Sequence, residues 1–468
     1  MKTNINNKKA LYTHGSIGGT MIKTALSMIP ATLAISGYNI ADTYFVSRLG
    51  TLPLAAMGFT FPMVMLIGCI YRGISTGAMT PLAHSVGSNR SSKAAKVVSS
   101  GLLLVIIFSV IFGLAGYFST APVFAIFGAE GEVMPMVIAY MGIWYLGNFT
   151  IAISMICNNF LIAMGAARVA SLMMVGGMLL NVLLDPLFIF GLGPVPAMGI
   201  KGAALATVLS QSIVSIVMLL VLHYRYQLFT ATIFHWRLLK SAWKVIIRIA
   251  VPSTIGALMM PIGNSIIVRI VAGFGDDVVA GCAAAGRLEM VAFIVPMSLG
   301  ISMIPMIAQN FGAKRFDRIN ECRRFAMRFA GFFELFMAIV YFVFAPWLAG
   351  FFSKDPRVIE VMVIYLRIIP FGFGMMEIHR YSTFVYTGCN KPAASAWLNA
   401  LRLFGLLVPF SLLALLLNSL NGLFVARLAA DLLAGGIGMW FVRRMTMKLS
   451  GAKVNKIDAE IIAPDTVT

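Results

Sequence analysis

AHSVGSNR at residues 83–90 returns as AQNFGAKR at residues 308–315, displaced by 225 positions (308 less 83). At that same offset Asn39, Gly50, Ala55, Tyr140 and Gly147 match Asn264, Gly275, Ala280, Tyr365 and Gly372. With a two-residue slip, Gly165 and Pro186 match Gly388 and Pro409. One offset held over so many segments marks a duplicated unit. Each octapeptide is a short polar break between two long apolar runs, so the duplicated unit is a set of hydrophobic segments.

Composition says what surrounds those segments. Of the 468 residues 59% are hydrophobic and 11% charged, with a mean hydropathy of +0.89; a soluble domain carries about 25% charged residues. A helix needs ~20 mostly apolar residues to cross a bilayer. Such stretches are expected at 18–46, 52–82, 97–122, 133–158, 169–190, 200–222, 245–272, 278–306, 328–352, 358–386, 393–417 and 420–442. The expected fold is therefore an all-α integral membrane protein of twelve transmembrane helices in two pseudo-symmetric six-helix lobes. Six helices per half return the chain to its starting side, so the halves run parallel, related by an axis along the membrane normal. The boundaries read as an N-terminal lobe 1–222, a cytoplasmic linker 223–244, a C-terminal lobe 245–445 and a polar, disordered tail 446–468.

The formal charge of +19 does not point to nucleic acid, because the cations follow loop parity rather than one face. Alternate loops and their flanks hold 24 Lys and Arg, while the opposite loops hold 4 (Arg48, Lys201, Lys354 and Arg357). The positive-inside rule then places both termini in the cytoplasm of a multi-pass protein of the cell (inner) membrane. The first apolar stretch is too long for a signal peptide and contains Asp42. The aromatics and cations of the linker (Tyr224, Tyr226, Phe229, Trp236, Lys240, Trp243) read as an interfacial stretch. Five scattered cysteines suggest neither a disulfide framework nor a zinc site.

Asp42 and Asp185 lie deep in apolar runs, where a carboxylate costs roughly 2.5–3.5 kcal/mol on insertion scales. Asn39 is three residues from Asp42, and Asn181 four from Asp185, so each acid has an amide on its own helical face. Both acids stand a few residues from the outer ends of outward-running helices, and Thr207 enters the returning sixth helix to a comparable depth. Two carboxylates, two amide oxygens and a hydroxyl can thus converge in the outer half of the first lobe. In a low dielectric two such carboxylates titrate as a pair, which suits loading and release of a proton; a donor set made only of oxygen suits Na⁺ as well. The bland alternative is that each acid caps backbone freed by a neighbouring proline. Pro30, about three turns before Asp42, is expected to kink or hinge the first helix.

Other polar residues are weaker candidates. Tyr38, Asn158 and Met174 face the first-lobe interior, and Glu377, with His379 and Arg380, clusters in the tenth helix; these four are expected along a substrate cavity. Arg427 and Asp431, four apart, read as a structural pair, and Glu289 is expected to pair with another helix. Methionine, at 31 residues, suits a surface accepting many shapes, though core filling explains most of them. No G-x-x-x-x-G-K-[ST] loop and no G-x-G-x-x-G opening a helix is present, so ATP-driven transport and ordinary membrane enzymology lose ground. No cofactor is expected, and no metal beyond Na⁺ at Asp42, Asn181 and Asp185. An ion gradient remains as the energy source.

YNIADTYFVSRLG (38–50), NVLLDPLFIFG (181–191) and GIKGAALATVLSQ (199–211) resemble the multidrug and toxic compound extrusion (MATE) family, a resemblance extending over essentially the whole chain. It implies a V-shaped, two-lobed, twelve-helix antiporter with a central cavity, expelling cationic or amphipathic compounds in exchange for H⁺ or Na⁺ by alternating access. Carried onto this chain, the family's ion site maps to Asp42, Asn181, Asp185 and Thr207, and its proline-bent first helix to Pro30. The second lobe departs from it: Ile267 stands opposite Asp42, and Val408 opposite Asp185, so ion coupling is expected in the first lobe. Other branches place acids in the seventh and tenth helices; here Asn264 occupies the seventh, while Glu377 leaves a second-lobe route open. The expected partners are drug-like or cationic small molecules and membrane lipid, not nucleic acid, with the chain acting as a monomer. The rival reading is a flippase of lipid-linked oligosaccharide or lipid with related architecture, which would more often show fourteen helices and a cationic cavity.

Overall fold

The computed structural model describes residues 11–230 and 235–451. Lys2, Lys8 and Lys9, part of the linker, and the tail beyond Gly451 lie outside the described residues. Among those described, regular structure is helical throughout. Twelve long rods follow one another: α1 (Ile17–Ser47), α2 (Thr51–Gly87), α3 (Ser91–Ile126), α4 (Val133–Ala163), α5 (Ala167–Gly191), α6 (Ile200–Arg225), α7 (Trp236–Ala272), α8 (Asp276–Gly312), α9 (Phe316–Phe352), α10 (Pro356–Gly388), α11 (Pro392–Leu416) and α12 (Leu420–Gly451). Eleven are long and apolar enough to cross a membrane. The twelfth, α1, has 31 residues, but Lys23, Asn39, Asp42 and Thr43 dilute its apolar run. Each expected span falls on one rod.

The rods overshoot the hydrophobic spans mainly at one kind of end. Helix α2 runs on to Gly87, α8 to Gly312 and α12 to Gly451, while α3, α7 and α9 begin early at Ser91, Trp236 and Phe316. These are the Lys/Arg-rich ends. Hydropathy stops where lipid stops, whereas the i→i−4 ladder continues as long as side chains allow.

The duplication is visible in the backbone. Left-handed residues recur at the 225-residue offset: Gly50 and Gly275 (φ 116° and 114°), Asn89 and Lys314 (61° and 58°), Gly165 and Asn390 (79° and 60°). The turns after α2, α8, α4 and α10 close alike, with N–H of Arg90, Arg315, Ala166 and Lys391 donating to the carbonyl five residues back at 2.8–2.9 Å, the Schellman arrangement. This corrects the matching of Gly165 with Gly388. Gly388 ends α10, and the residue equivalent to Gly165 is Asn390, which holds the same backbone conformation without glycine. The two-residue slip falls later, between Lys391 and Pro409, a stretch that contains the π-helical turns Leu401–Leu407.

Two compact units divide the chain, Leu26–Thr254 in one, Tyr12–Ala25 and the residues from Ile255 onward in the other. In the first unit, α7 lies so close to α2 that a Cβ on Gly77 would stand 2.7 Å from the Ile246 carbonyl oxygen. The linker belongs to this packing: Thr230 N–H donates to Ser99 Oγ (3.0 Å), and the Trp243 indole to the Ser100 carbonyl (3.0 Å). In the second unit, the segment before α1 is held by the duplicated octapeptide. Gln309 Oε1 accepts from Tyr12 N–H (3.2 Å), Asn310 Nδ2 donates to the Tyr12 carbonyl (3.0 Å), and Arg318 reaches the Gly15 carbonyl (3.0 Å). Met21, Met303 and Met306 fill the core beneath.

Candidate functional site

The site in the first unit is assembled by three helix registers. A Cβ on Gly202 would lie 2.3 Å from the Phe188 carbonyl oxygen, so the start of α6 rests directly on the end of α5. The loop between them folds back to seal this, Met198 N–H donating to Phe188 O (3.0 Å) and Gly199 N–H to Ile189 O (3.1 Å). Because α5 and α6 are antiparallel, pairing 188 with 202 brings Thr207 level with residue 183 and Ser210 level with 180. Helix α1 touches α5 at Gly37, whose Cβ would stand 3.0 Å from Met178 Sδ. These two helices run the same way, so Asp42 also comes level with residue 183. Asn181 and Asp185 straddle that level, and Pro186, which cannot donate to the ladder, opens the π-helical turn Leu187–Gly191 just beyond.

The side chains converge accordingly. Asp42, Asn181, Asp185 and Thr207 are all buried. Asn181 Nδ2 donates to Asp185 Oδ1 (3.3 Å), and the two carboxylates lie within electrostatic reach of each other. The Tyr38 hydroxyl faces Thr207 and Ser210 and lies within electrostatic reach of Asp42 and Asp185, as Tyr140 from α4 does of Tyr38 and both acids. Three acceptor oxygens here have no hydrogen-bond partner: Asp42 Oδ1, Asn181 Oδ1 and Asp185 Oδ2. An unsatisfied buried polar atom costs roughly 1–3 kcal/mol, and three at one depth exceed what proline capping explains. The donors are two carboxylates, an amide oxygen and hydroxyls, a set that fits a proton or a hard monovalent cation and lacks the nitrogen and sulfur favoured by transition metals.

Asn39 is not part of this group. It is exposed, and its amide donates to the Ile35 carbonyl of its own helix (3.0 Å). At 100° per residue a three-residue step misses the Asp42 face by 60°, a four-residue step by only 40°, so Tyr38 is the neighbour that shares it. Tyr140 was absent from the expected site, although its match with Tyr365 across the duplication was its signal. Asn158 is buried, but its amide ties α4 to α5 through the Ala170 carbonyl (3.2 Å). Met174 is half-buried, and Pro30 is exposed within an unbroken α1.

Glu377 lies in the second unit, fully buried, with its carboxylate 3.0 Å from Arg380. Arg402 grips Asp431 through Nε (2.9 Å) and Nη2 (2.6 Å). Arg427 and Asp431 approach only to 3.9 Å; the main partners of Arg427 are Glu289 and Tyr365, which also bond each other. Glu334 on α9 is fully buried, with no hydrogen bond at either oxygen.

A duplicated twelve-rod bundle with an oxygen-lined acid pair in one half can be compared with known proteins directly. The MatE family model matches residues 28–187 and 252–413, one segment in each half. The chain belongs to the MatE family. Among its MATE relatives, the FAD transporter of Shewanella oneidensis is 31% identical over 419 residues, spanning 90% of this chain and 93% of that protein. The multidrug export protein MepA of Staphylococcus haemolyticus is 21% identical, spanning 96% and 98%. Two solved structures share the fold. The Vibrio cholerae MATE transporter VcmN in its bent form has a TM-score of 0.87 at 24% identity, covering 93% of this chain and 98% of that one. An outward-facing multidrug resistance MATE transporter has 0.86 at 24%, covering 95% and 99%. The chain is thus a multi-pass MATE transporter, and the family match covers both Asp42 and Asp185.

Proposed function

We propose that this chain is a secondary antiporter that exports amphipathic small molecules in exchange for H⁺ or Na⁺. The three unpaired oxygens of Asp42, Asn181 and Asp185 carry the reading. They form a charged, oxygen-only site in a membrane-embedded bundle, where retaining two acids without a cation has a cost that a coupling ion offsets. In this reading Asp42 and Asp185 take up the ion from the outer side. Asn181 and Thr207 supply neutral oxygens, and Tyr38 and Tyr140 close the site to water. The charge change at the head of α1 is then felt along that helix, with Pro30 as the point where it bends, and the substrate is released outward. The ion leaves toward the cytoplasm, where the Lys- and Arg-rich loops place both termini, and the membrane is the inner membrane of the cell. The relatives' names span FAD and multidrug export, both compatible with a planar amphipathic substrate.

The test is ethidium or flavin efflux in vesicles with pH and Na⁺ gradients imposed separately, wild type against Asp42→Asn and Asp185→Asn. Movement driven by one gradient and lost in both variants supports the assignment and names the ion. Gradient-driven efflux that survives either substitution, with the protein shown to be inserted, refutes it.

A further inference from the structure

The second unit carries a different arrangement of charge. Three arginines stand at the partly open ends of a connected chain of ion pairs: Arg380 on Glu377, Arg402 on Asp431, and Arg427 on Glu289 with Asp431 behind it. Arg402 also lies within electrostatic reach of Glu377, so the three pairs are continuous. The same asymmetry recurs in each. The arginine side chains are 25%, 21% and 23% exposed, whereas Glu377 and Asp431 are 0% and Glu289 is 15% exposed. A pair retained only for packing would bury both partners alike. Here the acids sit behind and the guanidinium faces point out.

Depth along the helix argues that those faces meet water rather than lipid. Arg402 is ten residues into α11, roughly 15 Å from its end, too deep to snorkel, and a guanidinium facing hydrocarbon is strongly disfavoured. Each guanidinium has five N–H donors. Arg380 is ion-paired with Glu377 through Nη1, Arg402 uses Nε and Nη2 on one carboxylate oxygen, and Arg427 divides Nη1 and Nη2 between Tyr365 and Glu289. Donors remain on all three, held in fixed directions by the acids behind. Arg380 is further fixed by lying over the ring of the buried Phe293 (5.2 Å).

We propose that Arg380, Arg402 and Arg427 form a subsite for a phosphate-ester anion. Planar, forked donors match phosphate oxygens in pairs. The source favoured here is the phosphate of a transported flavin- or nucleotide-type solute, consistent with a FAD transporter being a 31% identical relative. This deepens the exporter reading by naming a substrate class, and it rests on that reading only for the direction of movement.

Binding tests it without any ion gradient, so failure of antiport and failure of this subsite are separate results. Purified protein in phosphatidylcholine nanodiscs is titrated with riboflavin, FMN and FAD, following flavin fluorescence. FMN and FAD are expected to bind at least about tenfold tighter than riboflavin, the size of a charge-assisted contact or more. Because Arg402→Met alone strands a buried carboxylate, the variant used is the charge-neutral pair Arg402→Met/Asp431→Asn, with its melting temperature as the control for folding. It should bring FAD down to the riboflavin affinity and leave riboflavin unchanged. A second arm adds phosphatidylglycerol and measures retained phospholipid by mass spectrometry; lipid lost in the paired variant, with competition against FAD, assigns the same phosphate chemistry to a headgroup. Equal affinities for the three flavins, with lipid retention unaltered by the paired variant, overturn the proposal.

Discussion

Replacing Gly202 by alanine tests how the first-unit site is held together. The added Cβ would stand 2.3 Å from Phe188 O, 2.5 Å from its carbonyl carbon and 2.8 Å from Ile189 N. All three are backbone atoms with no rotamer to escape through. Ordinary contact begins near 3.4 Å, so α6 must retreat from α5 by 1.1 Å (3.4 less 2.3). The turn cannot yield elsewhere, because Met198 and Gly199 donate to the same two residues. Overpacking of this kind costs about 1–3 kcal/mol, equivalent to roughly 2–10 °C of melting temperature for a unit of this size. The shift also carries Thr207 and Ser210 away from Asn181 and Asp185. A displacement of ~1 Å in a positioned group commonly costs one to two orders of magnitude in rate, so gradient-driven transport should fall at least tenfold.

The control is Gly176→Ala on α5, where a Cβ meets nothing within 4 Å. There alanine should stabilise the helix by about 0.5–1 kcal/mol and leave transport intact. Purified protein in detergent gives the melting temperatures by scanning fluorimetry, and vesicle efflux gives the rates. If Gly202→Ala melts and transports like wild type, or Gly176→Ala proves the more damaging, the register argument is wrong.

Other substitutions separate the roles. Asn39→Ala should transport like wild type, since its amide serves only the Ile35 carbonyl, whereas Tyr38→Phe removes a hydroxyl within electrostatic reach of both acids and should slow vesicle efflux; the reverse order would restore Asn39 to the site. Asn158→Ala loses the tie to Ala170, worth about 0.5–1.5 kcal/mol, and should lower the melting temperature without altering ion preference. Arg402→Met alone should destabilise by up to about 3–5 kcal/mol, less for its partial exposure, and adding Asp431→Asn should recover most of that loss in the same melting assay.

How far the sequence carried the structure depends on what each signal encodes. Apolar runs gave twelve rods because lipid imposes the length of a helix, yet they missed the overhangs at the Lys- and Arg-rich ends, where α2, α8, α9 and α12 continue past the apolar runs and still pack, Ala83, Ile307, Cys322 and Met445 being buried. Asp42 and Asp185 were legible because a carboxylate in an apolar run is conspicuous. Asn39 misled because residue type was weighed above the phase of the helix, and Tyr140 was missed because a tyrosine in a membrane helix is unremarkable by itself. Two ion pairs of the second unit needed coordinates: Arg402 and Asp431 are 29 positions apart, Arg427 and Glu289 138, and no local spacing joins them.

The duplication sharpens the contrast between the halves. Tyr140 and Tyr365 are equivalent, and each stands at the charged centre of its unit, the first within electrostatic reach of Asp42 and Asp185, the second bonded to Glu289 and Arg427. Around that shared tyrosine the halves have diverged in how their acids are compensated. Asp42 corresponds to Ile267, and Asp185 to an apolar residue, Val408 or Phe410 on either side of the slip. Conversely, Arg380 corresponds to Met155 and Glu289 to Val64. Acids left without cations suit an ion that comes and goes, because the site is uncompensated in its absence. Acids already neutralised by arginine have no such need, and what they leave over is a row of fixed donors. A molecule with coupling ion and anionic solute bound to opposite halves would keep the two charges from competing for one set of ligands. Glu334 is the exception in the second unit, buried beside Glu377 and Arg380 with no hydrogen bond of its own. If coupling depended on it as on the first-unit pair, Glu334→Gln would abolish gradient-driven efflux as completely as Asp42→Asn; the division between halves requires that it does not.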